Sequence, residues 1–519
     1  MLHGSPLEEA ADLRSLISSH VREKPDAYAL TGSDARLTWL ELETLSDRLA
    51  GHYVSMELSP GCVVASLMPN RSALIVHYLA CMKAGLVAMP LNYRYTASEI
   101  DHALATVQPA MMIVHSERAS EIEASEEAGI LPKGLFFFEG DQTGADDSLE
   151  RLLSEETKDF SPPQVNYDDP AFILFTSGST GKPKGVTHSL KTFGYITSSF
   201  SKALVMTQDD VLLAASSASH MGSIKLSLSG LWAGAEVCLA PTFDAEGLLP
   251  LLRSNRPTVS LILPAALFGL IRDIHSTSAD FESLRLVMSG GDKLSAELEK
   301  EFTEIAGIPI NEAYGMTEIG TSHLNPPYGL NKLGSVGLNN PGYTSAIRDM
   351  EGQEVPIGVE GQHWVKSPCT MTGYWNDRDA TDRILKLGWL DSGDIMRADE
   401  DGYLWFCGRK KQIIIHDGSN INPQDVEDAL MDHPSVAYAG VVGVDDLVHG
   451  QNVWAFVTLK KEDARPESRE LLQFARERVG YKAPEAIVFL ESLPLTAVGK
   501  LNRPELSKMA AAMMAGKHA

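Results

Sequence analysis

The sequence predicts an α/β protein: a large N-terminal domain of layered, largely parallel sheets and a small C-terminal domain. Three observations carry that prediction. Apolar, β-rich runs alternate with helical patterns through most of the chain, the rhythm of strands covered by helices. The chain has 519 residues, more than one domain at about 100–200 residues each. Its texture changes near Gly408, which suggests residues 1–408 as the large domain and 413–519 as the small one.

Taken in order, Val63–Leu67 reads as a buried strand, Ala73–Lys83 as an apolar helix and Leu86–Pro90 as a strand. Ala97–Thr106 is helical and Met111–Val114 a strand. The acidic run Glu117–Glu127 reads as a solvated helix face. Phe172–Phe175, Thr258–Leu263 and Leu284–Met288 are strand-like, and Ser295–Ile305 is an amphipathic helix. Asp399–Gly402 suggests a hairpin turn, and Ile413–Ile415 a short strand.

Composition narrows the function. The chain carries 44 Lys plus Arg against 69 Asp plus Glu, a net charge of −25. A nucleic-acid or anionic-membrane binder needs a basic face, so neither partner is expected. Almost all of this charge, −24, lies before Arg409; the remainder of the chain sums to −1. Five scattered cysteines without a C-x-x-C pair read as buried free thiols in a reducing compartment. There is no basic-then-apolar leader pattern, and the most apolar stretch, Ala73–Met82, is too short to span a membrane. Gly-Lys-His-Ala at the C-terminus matches no simple retention or peroxisomal tail. A cytoplasmic protein is the expectation.

The strongest local signal is Thr176-Ser177-Gly178-Ser179-Thr180-Gly181-Lys182-Pro183-Lys184-Gly185, between a strand and a helix expected from about Ser189. Glycines let backbone N–H groups approach an anion, hydroxyls add donors, and two lysines supply charge. A Walker loop needs Gly at 176 and Ser or Thr at 183, and here these are Thr and Pro. A surface loop of turn-forming residues is the plain alternative.

This loop resembles the signature of the acyl-adenylate-forming superfamily, which includes acyl-CoA synthetases, peptide-synthetase adenylation domains and luciferases. Further motifs follow in order from about Leu37 to Arg503. Tyr314-Gly315-Met316-Thr317-Glu318 resembles a second motif: the ring suits an adenine face, Thr317 a phosphate oxygen, and Glu318 a Mg²⁺ bridging phosphates. Taken alone, that segment would be a turn and helix cap. Ser289-Gly290-Gly291-Asp292 resembles the adenine-side turn, or is simply a strand-to-helix turn. Asp394, ending Gly388-Trp389-Leu390-Asp391-Ser392-Gly393-Asp394, resembles the residue that accepts both ribose hydroxyls. Asp391 and Ser392 stand where His or Arg and Thr are more usual. By resemblance, Arg409 contacts the nucleotide and Lys411, in 409–412, is a hinge position where Asp is commoner. Gly418-Ser419-Asn420 resembles the thiol-tunnel loop, and Ile415 replaces a Lys of some relatives. Lys500, in Gly499-Lys500-Leu501-Asn502-Arg503, resembles the catalytic lysine that neutralises substrate carboxylate and α-phosphate.

The resemblance implies the adenylate-forming fold with a small, mobile α+β C-terminal domain. It also implies an AMP-forming acid–thiol ligase that takes ATP, Mg²⁺, CoA and a small carboxylic acid. His220 resembles the gate residue beside the substrate carboxylate, where many relatives have an aromatic shortly afterwards and this chain has Gly222. Met221, Gly222, Ala313, Gly315 and Met316, together with Gly290, suggest a roomy, mostly apolar acyl pocket for a fatty, alicyclic or aromatic acid. No cation in these segments stands out as a partner for a second carboxylate. A free-standing adenylase that loads a carrier protein is the alternative. An ADP-releasing phosphotransferase and a non-catalytic nucleotide binder fit the residues less well. A homodimer is one candidate assembly.

Overall fold

Val63–Leu67 is five consecutive buried residues and Met111–His115 five more, the signature of strands covered on both faces. The computed structural model describes residues 1–140, 147–157, 160–176, 183–291, 294, 296–416, 419–446, 450–460, 465–496 and 500–517. They divide into two compact units: Leu2–Ser345 with Val365–Leu390, and Ala346–Trp364 with Asp391–Ala519 and Met1.

The larger unit holds two sheets. One runs in the order Gly373–Tyr374, Lys184–Ser189, Pro170–Thr176, Val87–Pro90, Val63–Leu67, Met111–His115, Leu135–Phe138. Its pairs are parallel except at the Lys184–Ser189 and Gly373–Tyr374 edge, which is antiparallel. The other, of nine strands, is parallel from Tyr28–Thr31 through Glu236–Leu239, Val211–Ala215, Val259–Ile262 and Leu286–Gly290 to Ile310–Met316. It ends in an antiparallel hairpin with Gly320–Leu324.

One apolar core joins residues of both sheets with the helices Ser72–Ala84, Leu190–Ala203 and Met221–Ala233. All thirteen residues of Ser72–Ala84 are buried, as expected of a helix that is apolar all round. Separate clusters lie under Ala97–Val107 and under Ala245–Asn255, Pro264–Ile271 and Ala296–Ala306. The result is helices and sheets in alternating layers, as the sequence predicts. The predicted strands and helices all occur, shifted at their ends by no more than a few residues.

The smaller unit is α+β. The long antiparallel pair Val436–Asp446 and Gly450–Leu459 takes Ala486–Phe489 on one side in parallel. Helices Pro423–Met431, Ser468–Val479 and Arg503–Lys517 cover it. The predicted hairpin turn is present: Ala398 pairs with Leu404, and Gly402 supplies a φ of 84°. All five cysteines are free, but Cys62, just before the strand Val63–Leu67, and Cys407, within the strand Leu404–Arg409, are only half-buried. Among the described residues, no helix is long and apolar enough to cross a membrane.

Lys83 ends the buried helix with its own side chain buried. Its Nζ lies 2.6 Å from Glu43, 2.7 Å from Asp47 and 2.8 Å from Ser46 Oγ. Lys83→Met should leave both half-exposed carboxylates without their cation and cost about 2 kcal/mol, measured by urea denaturation.

Candidate active site

The phosphate-loop segment is closed by an antiparallel pair in which Thr176 stands opposite Lys184. Ser177, Gly178, Ser179, Thr180, Gly181 and Lys182 lie outside the described residues. The sequence suggested a loop running to the helix; instead a strand, Lys184–Ser189, comes first. Its residues from Gly185 to Ser189 are all buried, and it brings Gly185 against Ile173 and Trp375. A Cβ at 185 would stand 2.9 Å from Ile173 Cγ2. Ser189 then caps the helix Leu190–Ala203, accepting from the Thr192 N–H.

The outer edge of that strand pairs with Gly373–Tyr374, and this places a second set of contacts. The Tyr374 hydroxyl donates to Glu318 Oε1 at 2.8 Å. Lys184 Nζ lies 4.9 Å from the centre of the same ring, a cation–π distance. Burial and the Glu318 charge hold the Tyr374 phenol far above its ordinary pKa, so it remains a donor. The Met371 N–H donates to the Glu318 carbonyl at 2.8 Å. His188 Nε2 stands 2.8 Å from the Thr317 carbonyl. Burial lowers His188 to about 4, so the ring is neutral near pH 7. A carbonyl only accepts, so Nε2 carries the proton.

Thr317 and Glu318 sit at the tip of the hairpin between Ile310–Met316 and Gly320–Leu324. The segment is a β-hairpin and not a helix cap, because Gly315 and Gly320 allow the strands to close. A Cβ at 315 would lie 2.1 Å from the Gly320 carbonyl oxygen. Glu318 is buried. Tyr314 is half-buried and tilted against His323 at 5.8 Å. Gly290 ends its strand opposite Ala313, and a Cβ there would stand 2.3 Å from the Ala313 oxygen. At 290 and 315, then, backbone approach demands the absence of a side chain. Gly291 follows at φ 87°, and Asp292 lies outside the described residues. His220 is the residue before the helix Met221–Ala233. Met221 is buried, whereas a Cβ at Gly222 would meet only Ser216 Oγ at 3.6 Å and Leu261 at 3.9 Å.

The remaining candidates belong to the smaller unit. Asp394 and Arg409 are cross-strand partners, with Arg409 Nε 3.2 Å from Asp394 Oδ1. Asp394 is buried and Arg409 exposed. The turn before Asp394 is held by the residues that depart from the usual motif. Asp391 accepts from the Gly393 N–H at 2.9 Å, and Ser392 Oγ donates to the His363 carbonyl at 2.9 Å. Lys500 is half-buried and closes a short bridge: the Thr496 N–H donates to the Lys500 carbonyl at 2.7 Å, and Leu495 pairs with Leu501. Arg503 anchors the following helix to buried Glu427 at 2.8 Å. Gly418 and the side chains of Lys411, Ser419 and Asn420 lie outside the described residues.

Sequence reasoning missed Tyr374 and His188. His188 follows the phosphate loop closely but matches no catalytic spacing. Tyr374 lies in a two-residue strand that no periodicity could reveal.

The AMP-binding enzyme family model matches residues 17–375, and the AMP-binding enzyme C-terminal domain model matches 425–500. An indoleacetate–CoA ligase from Aromatoleum aromaticum is 32% identical over 96% of this chain and 98% of that protein. A feruloyl-CoA synthase from an Amycolatopsis species is 33% identical over 94% and 96%. The crystal structure of ATP-bound MatB from Rhodopseudomonas palustris superposes with a TM-score of 0.89 at 27% identity, covering 96% and 99%. The chain belongs to the AMP-binding enzyme family.

Tyr374→Phe removes one hydrogen bond from Glu318 and little volume. Pyrophosphate release should fall about tenfold, the worth of one donor to a carboxylate, with melting temperature unchanged within about 3 °C.

Proposed function

We propose that the chain is an AMP-forming ligase that joins an aromatic or related apolar carboxylic acid to CoA. The full-length likeness to acid–CoA ligases carries this reading. A carboxylate oxygen attacks the α-phosphorus of ATP, the bond to the β-phosphate oxygen breaks, and acyl-AMP and pyrophosphate form. The thiol of CoA then attacks the acyl carbon, and AMP leaves with the acyl oxygen that joined it.

In this reading Thr176 to Lys184 hold the phosphates, and Tyr314 with Gly290, Gly291 and Asp292 holds the adenine. Asp394 accepts the ribose hydroxyls while Arg409 approaches the nucleotide. Their mutual ion pair keeps the buried carboxylate charged and oriented until the hydroxyls compete for it. Thr317 takes a phosphate oxygen. Glu318 fits Mg²⁺: it is a buried hard-oxygen donor already oriented by Tyr374. A single carboxylate suffices when phosphates and water supply the other ligands, and the ion would neutralise phosphate charge.

Lys500 acts by charge on the first half-reaction, bringing two anions together. The carboxylate would lie beside His220, with Met221, Gly222, Ala313, Gly315 and Met316 along the acyl group. Residues 413–519 turn about 409–412, so that Gly418, Ser419 and Asn420 line the thiol path in the second half-reaction.

A panel of aryl, alicyclic and fatty acids tests this. With ATP and Mg²⁺, accepted acids should release pyrophosphate; adding CoA should yield acyl-CoA and AMP. ADP as product would refute the reading, and acyl-AMP that CoA never consumes would favour carrier-protein loading. Lys500→Ala should slow adenylation by about 10³-fold and largely spare CoA attack on supplied acyl-AMP. Lys411→Pro should do the converse, and equal loss in both halves would remove each assignment.

A further inference from the structure

Lys225 lies in the helix that begins at Met221, and it is only 5% exposed. Its side chain has no hydrogen-bond or carboxylate partner among the described residues; the Nζ lies 4.6 Å from the centre of the buried Phe200 ring. Burying an ammonium without a counter-charge is costly, and a cation–π contact offsets only part of that cost. Lys83, the other well-buried lysine among the described residues, has two carboxylates and a hydroxyl. Burial alone pulls Lys225 down to about 7, with no charged neighbour contributing.

Its position gives this group a use. Lys225 follows Met221 by four residues and Gly222 by three, so the three share one helix face. Lys225 sits about 4.5 Å further along the axis from Gly222. That helix and the Phe200 helix both pack against Gly320–Leu324, which pairs with the strand carrying Ala313, Gly315 and Met316. Gly222, where a side chain would meet only ordinary contacts with Ser216 and Leu261, and the hairpin thus lie on or against the same helix as the lysine.

We propose that Lys225 ends the acyl pocket, and that the acid activated here carries an acceptor oxygen at the end remote from the reacting carboxylate. This rests on the acid–CoA ligase reading. A second carboxylate or a phenol-type oxygen has the required chemistry: either accepts the N–H bonds for which Lys225 has no acceptor. An acid without one leaves the buried amine unpaired, which is how a polar site rejects an apolar analogue.

Cinnamate, 4-hydroxycinnamate and 4-carboxycinnamate form a matched series for the full-length enzyme with ATP and CoA. The wild type should favour at least one of the two substituted acids over cinnamate by about tenfold or more in kcat/KM. Lys225→Met should lose about 100-fold on that acid and change cinnamate by less than about threefold. Lys225→Gln, which keeps a donor without the charge, separates the two sources. It should retain 4-hydroxycinnamate if the acceptor is a phenol, and lose the preference if it is a carboxylate. Equal losses on all three acids in both variants would show a packing role and overturn the inference, as would a wild type indifferent to the substituent. Failure to form any acyl-CoA overturns the ligase reading and this inference with it; acyl-CoA formation independent of Lys225 overturns this inference alone.

Discussion

The hydrogen bond from Tyr374 to Glu318 ties two sheets of the larger unit together at the site. On one side stands the strand that closes the phosphate-loop segment, with Lys184 opposite Thr176 and Tyr374 opposite Val186. On the other stands the hairpin that carries Thr317 and Glu318. The neutral His188 at the Thr317 carbonyl and the Met371 N–H at the Glu318 carbonyl repeat the tie on the backbone. If, as proposed, residues 176–184 hold phosphates and Glu318 a cation, the two must keep a fixed separation for one substrate to meet both. Three buried or half-buried hydrogen bonds set it before substrate arrives.

Charge follows the same economy. The chain carries −25 overall, almost all of it before Arg409, yet its ligands in the proposed reaction are polyanions. Long-range attraction cannot deliver them at physiological salt, since the field of the shell is screened within about 8 Å. In the proposed reaction, binding falls to a few local cations, for which the sequence offers Lys182, Lys184, Arg409 and Lys500, and to backbone N–H groups. Arg409 shows how such a cation is stored: paired with Asp394 across two strands.

Most of the layered fold was legible because its strands are buried on both faces and its helices punctuated. Val63–Leu67 and Met111–His115 needed only their mostly apolar runs; Gly85, at φ 71°, ends the helix between Val63–Leu67 and Val87–Pro90. What periodicity could not give were elements too short to have a period. Gly373–Tyr374 is one, and its partner Lys184–Ser189 was hidden because Thr, His and Ser fill buried positions there. At the Thr317–Glu318 tip local sequence allows either a hairpin or a helix cap, and close backbone approach at Gly315 decides for the hairpin. Motif order alone singled out Asp394, Arg409 and Lys500 as candidates. It could not find Lys225, whose significance lies in burial without a partner, a property no linear pattern records.

The central claim is that the acid's carboxylate attacks the α-phosphorus of ATP. An accepted acid labelled with ¹⁸O in both carboxylate oxygens, turned over with ATP and CoA, tests this directly by mass spectrometry of the products. One ¹⁸O should appear in AMP, one should be retained in the acyl-CoA carbonyl, and none should appear in pyrophosphate. Label in inorganic phosphate beside ADP, or unlabelled AMP, would contradict the claim.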